Sequence, residues 1–207
     1  MSRAFVPAAG HDVFLPLYDP LWRLLRGDRV RATFIADAGL VAPQRILDIG
    51  CGTGSLPVQI VATVPGTEVT GLDPDPKALA RGAQKAAAAG VDVGWREGFG
   101  DELPFADASF DRVVSSFMFH HLDREVKRGM LREARRVLVP GGELHLIDFG
   151  GQAPGKDGWL ARLLHRHEHV DGNLDAELFT EAGFGDVREV SCGRFLFGRY
   201  AHVRGVA

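Results

Sequence analysis

From Arg45 onward, short apolar runs rich in β-branched residues alternate with longer amphipathic ones, as expected for strands joined by crossover helices in a parallel sheet. The run RILDI (Arg45 to Ile49) reads as a buried strand, and Ser55 to Val64 as a helix that tolerates Pro57 in its first turn. A second strand is expected at Thr67 to Asp73. Asp75 and Pro76 then supply a cap and a first-position proline for an alanine-rich helix that Gly90 stops. Asp92 to Gly98 reads as a third strand and Phe110 to Phe119 as a fourth. Beyond it Asp123 caps a helix whose Val126, Met130, Ala134, Val137 and Leu138 share one face, and Pro140 to Gly151 returns as a fifth strand.

The flanks differ from this middle. Asp19 and Pro20 open a further helix that Gly27 bends or breaks, and Asn173 and Gly183 bracket a short one. Two last runs, Gly185 to Ser191 and Arg194 to Val203, are separated by Cys192 and Gly193, the spacing of an antiparallel hairpin. The expectation is one α/β domain with a mostly parallel sheet and an antiparallel carboxyl-terminal pair.

Composition narrows the function. A chain of 207 residues with 45% apolar and 25% charged residues is ordinary for one globular domain. A net charge of −3 lacks the basic field of a nucleic-acid binder, so nucleic acid is not expected as a partner. Cys51 and Cys192 are too few for a disulfide framework or a cysteine-built metal site. No apolar run spans a bilayer and MSRAFVPAAG does not read as an export signal, so the expected setting is cytoplasmic.

The chemistry concentrates in GCGTG (Gly50 to Gly54), which follows the first strand. In an open parallel sheet ligands sit at the carboxyl edge, and glycines there let a ligand touch main chain. The dinucleotide fingerprint would need a glycine where Ser55 stands, and no Gly-Lys-Ser/Thr follows, so a pyrophosphate cradle is not indicated. Asp73, closing the second strand, can accept hydrogen bonds from both hydroxyls of a ribose. A ribose without a pyrophosphate is the resulting expectation, with a local turn of Asp73 and Pro74 as the alternative.

LDIGCGTG, GLDPDP, LPFADASFDRVVSSFMFHHL and RVLVPGGELHLIDF, in this order, resemble the class I S-adenosylmethionine-dependent methyltransferases, especially the ubiquinone and menaquinone C-methyltransferase branch. The resemblance is close from Ile46 to Phe149. It implies a three-layer, Rossmann-like, seven-stranded fold and S-adenosyl-L-methionine as cofactor. It also implies that Gly50, Gly52 and Thr53 lie against the methionine part, that Asp73 holds the ribose, that Pro74 flanks the adenine and that Ser116 touches the cofactor. The helix start after the loop offers N–H groups to a carboxylate. Asp48 is left between a partner for the ammonium and a structural role. One departure stands out: the acidic residue and alanine that usually precede LPF and read the adenine are here Phe99 and Gly100. Asp101 is then the candidate acceptor, with a main-chain donor at Gly100.

A sulfonium methyl needs mainly an oriented nucleophile, with a base only where the acceptor must lose a proton. His120 and His121 are the candidate bases, against a purely local packing role. The cluster HRHEHVDGN (His165 to Asn173) suits solvated or substrate-facing histidines better than a metal, because a helix would spread the rings apart. Residues 1–40, including YDPLWRLL, and the connection after the fifth strand are expected to cover a small, partly hydrophobic acceptor. The expected function is methyl transfer to carbon, oxygen or nitrogen of that acceptor. The alternative is a non-catalytic module that binds the nucleoside, and a homodimer is left open.

Overall fold

In the computed structural model, residues 27–150, 174–195 and 198–207 are described. The readings made at Tyr18 to Leu25, Asp19, Pro20 and His165 to Asn173 lie outside them. The strands β1 (Arg45–Ile49), β2 (Glu68–Asp73), β3 (Gly94–Glu97), β4 (Phe110–Ser116), β5 (Leu138–Phe149), β6 (Gly185–Phe195) and β7 (Gly198–Val206) form one sheet in the order β3-β2-β1-β4-β5-β7-β6. The first five run parallel, while β7 enters antiparallel between β5 and β6. Strand order reverses between β1 and β4, which pair directly, and the crevice beyond their carboxyl ends is where such sheets bind ligands.

The helices are α1 (Gly27–Asp37), α2 (Ser55–Thr63), α3 (Pro76–Ala89), α4 (Arg124–Val137) and α5 (Ala176–Glu181). Their ends follow the sequence signals. Asp75 accepts from the Lys77 N–H at 2.8 Å with Pro76 in the first turn, Gly90 closes α3 at φ 67°, and Asp123 accepts from the Val126 N–H at 3.0 Å. Each such cap contributes about 1 kcal/mol. Alternation along β1 sends Leu47 and Ile49 to the face covered by α4 and α5, and Ile46 to the face covered by α1 and α2. Two apolar cores result, one on each face, giving the three layers.

Two expectations are corrected. The fourth strand ends at Ser116, short of Phe119, because Phe117 takes φ +52° and turns the chain out of the sheet into a 3-10 turn at Phe119–His121. The hairpin does not turn at Cys192 and Gly193, which pair with Ala201 and Tyr200 inside the ladder. The short helix expected between Asn173 and Gly183 is α5, with Asp175 as its cap.

Candidate functional site

The carboxyl ends of β1, β2 and β4 converge on a cavity of about 350 Å³, within the range of small-molecule sites. Its floor is the glycine loop. Gly50, Gly52 and Gly54 take φ values of 71°, 53° and 73°, the left-handed region in which a β-carbon is strained. The N–H groups of Gly50 and Cys51 both donate to the Leu72 carbonyl, at 2.8 and 3.0 Å, which locks the loop to the end of β2. A β-carbon on Gly50 would lie 2.5 Å from Met118 Cγ. One on Gly54 would lie 2.4 Å from the Trp95 ring and 2.8 Å from Gly82 Cα. The third glycine therefore serves the packing of the loop on α3.

Asp73 stands beside the loop, 8% exposed but in the cavity wall. Its two oxygens accept from the N–H groups of Gly52 (2.8 Å) and Asp75 (2.9 Å). Each oxygen keeps lone-pair capacity for one further donor, which is the arrangement needed to receive two vicinal hydroxyls. Burial raises its pKa, and the two N–H donors oppose the rise.

Apolar walls come from Ile49, Leu72, Phe99 and Met118, and the rim carries Pro74, Gly100 and Asp101. The β-carbon of Asp101 packs where a side chain at Gly129 of α4 would stand. The next stretch is pinned to α4: the Leu103 N–H donates to Glu133 at 2.8 Å, and Arg136 donates to the carbonyls of Leu103 and Phe105 at 3.1 and 2.9 Å.

The wall also includes Ser116, Phe117, His121 and Asp123. A bulky residue at φ +52° costs on the order of 1–3 kcal/mol. At Phe117 it is held by donation to the Ile147 carbonyl at 2.9 Å and by a ring contact with Phe149. His120 lies beneath His121, their centroids 3.9 Å apart. His120 Nδ1 is 2.6 Å from an oxygen of the fully buried Asp148, whose other oxygen accepts the His120 backbone N–H at 3.0 Å. Against a carboxylate, Nδ1 carries the proton and Nε2 is the basic nitrogen.

Residues 46–142 match the family model described as methyltransferase domain. The demethylmenaquinone methyltransferase of Thermus thermophilus is 38% identical over 151 residues, 72% of this chain and 68% of that protein. The chain belongs to the class I S-adenosylmethionine-dependent methyltransferases. This methyltransferase is also 38% identical to the demethylmenaquinone methyltransferase of Deinococcus radiodurans, over 73% of this chain and 64% of that one. It is 35% identical to the 27-O-demethylrifamycin SV methyltransferase of Amycolatopsis mediterranei, over 94% and 70%. The aligned part thus spans about two thirds of each relative's length. Among solved structures, an S-adenosylmethionine-dependent methyltransferase from Aquifex aeolicus superposes with a TM-score of 0.62 at 18% identity, covering 85% of this chain and 88% of that one. The [4+2]-cyclase SpnF superposes at 0.70 and 21%, covering 86% and 80%. At these identities the likeness establishes the fold alone, and the reaction has to be argued from the site.

The methyltransferase brings Gly50, Gly52, Thr53, Asp73, Pro74, Gly100, Asp101, Ser116 and His121 together in the wall of one cavity. Asp48 and His120 are not in the wall. Asp48 is fully buried on the α1 side of β1, neither oxygen hydrogen-bonded, and burial followed by the charge of Asp73 pushes its pKa well up. Three residues were not anticipated: Arg31, which reaches the cavity from α1, Phe117, and Asp148. Asp148 carried a usable signal, because a carboxylate closing a buried strand is what singled out Asp48 and Asp73. Among the described residues no cluster of three His, Cys, Asp or Glu side chains could hold a metal ion. Nor is any helix among them long and apolar enough to cross a membrane.

Proposed function

We propose that the protein methylates a small organic acceptor whose nucleophile must lose a proton, with His121, which lines the cavity, as the base and with His120, held by Asp148, packed behind it. When bound, S-adenosyl-L-methionine supplies a methyl group on a positively charged sulfur, transferred as the carbon–sulfur bond breaks and the acceptor's bond to carbon forms. The residues fit this cofactor. Asp73 has an acceptor site on each oxygen for the ribose hydroxyls, Gly50 and Gly52 expose main chain to the amino-acid tail, and Ile49, Leu72 and Phe99 offer the adenine an apolar slot edged by Gly100 and Asp101. Pro74, Thr53 and Ser116 complete the contacts assigned to it, and Asp48, buried outside the cavity wall, is given no contact with it.

The observation that carries the reading is that one cavity is lined both by Asp73 with the glycine loop and by Ser116, Phe117 and His121. His121 lines the cavity and accepts the acceptor's proton; Asp148 fixes the His120 ring on which His121 stacks and so holds His121 in place. Such proton transfer contributes about 10²–10⁴-fold to a rate. The relatives' names point to quinol-like or hydroxyl-bearing acceptors, and we assign this chain that class. Residues 1–40 and the connection after β5 are assigned to cover the acceptor within a single methyltransferase domain. Both cysteines are free thiols, which suits a reducing compartment such as the cytoplasm.

The test combines calorimetry with turnover on naphthohydroquinones, phenols, alcohols and amines. His121→Gln is expected to lower kcat by about 10²-fold or more, and Asp148→Asn, which loosens the ring beneath it, by less, with S-adenosylhomocysteine affinity within twofold of wild type in both. No cofactor binding by the wild type would sink the reading. Binding without turnover on any acceptor would leave the non-catalytic module, and full activity in His121→Gln would remove the base.

A further inference from the structure

The turn that carries His121 is anchored at three neighbouring residues. Phe119 is fully buried in the core that α4 covers. His120 is held by Asp148 of β5 through its ring and its backbone N–H. The third anchor, Met118, reaches the glycine loop. A β-carbon on Gly50 would lie 2.5 Å from Met118 Cγ, 2.9 Å from Cε and 3.0 Å from Cβ, so the methionine lies against the loop along its length. Cβ and Cγ are next to the main chain and cannot swing aside. The position of this side chain over Gly50 is therefore set by the backbone at residue 118.

The same backbone holds the base. The Met118 carbonyl accepts the His121 N–H at 3.0 Å, and Met118 is the residue that opens the 3-10 turn. Phe117, at φ +52°, turns the chain just before this point and so brings residue 118 back to the loop in place of a further step along β4. Gly50, Met118 and His121 all line the one cavity. An unbranched thioether suits the place, because it fills the narrow space left by the absent β-carbon without adding a strong hydrogen-bonding group. The contacts run from the main chain of the loop to Met118, and from its carbonyl to His121. Their length matters, since a base must lie about 3 Å from the proton it takes, and a misplacement of about 1 Å can cost about 10²-fold in rate.

We propose that Met118 is the positioning residue that sets His121 against the glycine loop, and so fixes the spacing between the base and the bound methyl donor. The proposal rests on the reading of His121 as the base. It gives the missing β-carbon of Gly50 and the strained turn at Phe117 one shared purpose, the seating of Met118.

Two measurements test it, the first without turnover. Gly50→Ala carries the strain of its positive φ in any background, so a change in its effect when Met118 is shortened reports their contact alone. By calorimetry, Gly50→Ala is expected to weaken S-adenosylhomocysteine binding at least about tenfold in the wild type and about threefold or less in Met118→Ala. Met118→Ala by itself should leave that Kd within about twofold, which also shows that it folds. Equal factors in the two backgrounds would overturn the proposal.

The second measurement compares a phenol still protonated at the assay pH with one already ionised, which needs no base. Met118→Ala is expected to lower kcat about tenfold or more on the first and less than about threefold on the second, with KM for S-adenosylmethionine within about twofold. Met118→Leu, close in volume, should keep most of the activity on both. Equal loss on both phenols would reduce Met118 to a structural prop and overturn the proposal. So would full activity in Met118→Ala beside a selective loss in His121→Gln. No selective loss in His121→Gln would overturn the base reading and this proposal together, and a wild type that turns over neither phenol would overturn the acceptor class and the proposal with it.

Discussion

Two aspartates close neighbouring strands, and their surroundings separate them. Asp73 accepts two backbone N–H groups and faces the cavity, whereas Asp48 is fully buried with neither oxygen hydrogen-bonded. A buried carboxylate without partners disfavours its charged form. Because the folded pKa of Asp48 lies above the unfolded value, its cost to stability grows as pH rises from about 3.8 toward the folded pKa and is relieved on acidification. Asp48→Asn is therefore expected to melt higher than wild type at pH 8, by about 2–4 °C per kcal/mol relieved, with the gap narrowing at pH 5. Thermal melts at the two pH values check this, and an Asn variant less stable at pH 8 would contradict it. Legibility divides in the same way at this scale. Asp73 and the glycines announce themselves because strand end, turn and acid are adjacent in sequence. Met118 and Arg31 do not, since only the turn after β4 and the tertiary packing of α1 bring them to the cavity.

At the scale of elements, the sequence carries helix caps and strand order well, because Asp75–Pro76, Gly90 and Asp123 act locally. Where it misleads, a tertiary contact is responsible. Nothing in FDRVVSSFMF marks Phe117 as left-handed; its ring contacts with Phe149 and Tyr200 hold it there. Gly82 is a second case. A glycine inside a helix costs about 1 kcal/mol relative to alanine, yet a β-carbon here would lie 2.6 Å from the Trp95 ring. Trp95 is thus the wedge between β3, α3 and the glycine loop, in close contact with Gly54, Gly71 and Gly82 alike. Gly82→Ala should destabilise the wild type by about 1–3 kcal/mol through overpacking. In a Trp95→Val background, with the ring gone, the same change should stabilise by up to about 1 kcal/mol. Chemical denaturation of the four proteins of this cycle gives the answer, and a substitution with the same sign in both backgrounds would refute the wedge.

Across the whole molecule, the insertion of β7 beside β5 buries a histidine pair in the sheet. His145 Nδ1 lies 3.0 Å from His202 Nε2, and the edge of the His202 ring meets Phe34 of α1. Burial lowers the pKa of His145 to about 4 and of His202 to about 3. Burial pushes Glu143 up, but hydrogen bonds from Arg204 and His145 outweigh it and hold the carboxyl at about 2. The signs agree. Below about 6.5 the unfolded chain binds protons that the folded histidines refuse, so their contribution falls as pH drops toward 4 and then 3; that of Glu143 is present above about 4.5 and is lost toward 2. Asp48 and Asp73 act in the opposite sense. Urea unfolding is expected to show stability falling by up to about 1.4 kcal/mol per pH unit per histidine between pH 6 and 4.5. The slope should flatten in His145→Gln/His202→Gln, and an unchanged slope would exclude the pair as its source.

The strand order has a consequence for divergence. Apart from Ser116, residues assigned to the donor sit on the turns after β1, β2 and β3, while the histidine turn assigned to the acceptor follows β4, on the other side of the line where the order reverses. A lineage can therefore rewrite one set of loops for a new partner molecule while the other set, rooted in different strands, keeps its shape. Inheritance of the chemistry and turnover of its target are thereby decoupled.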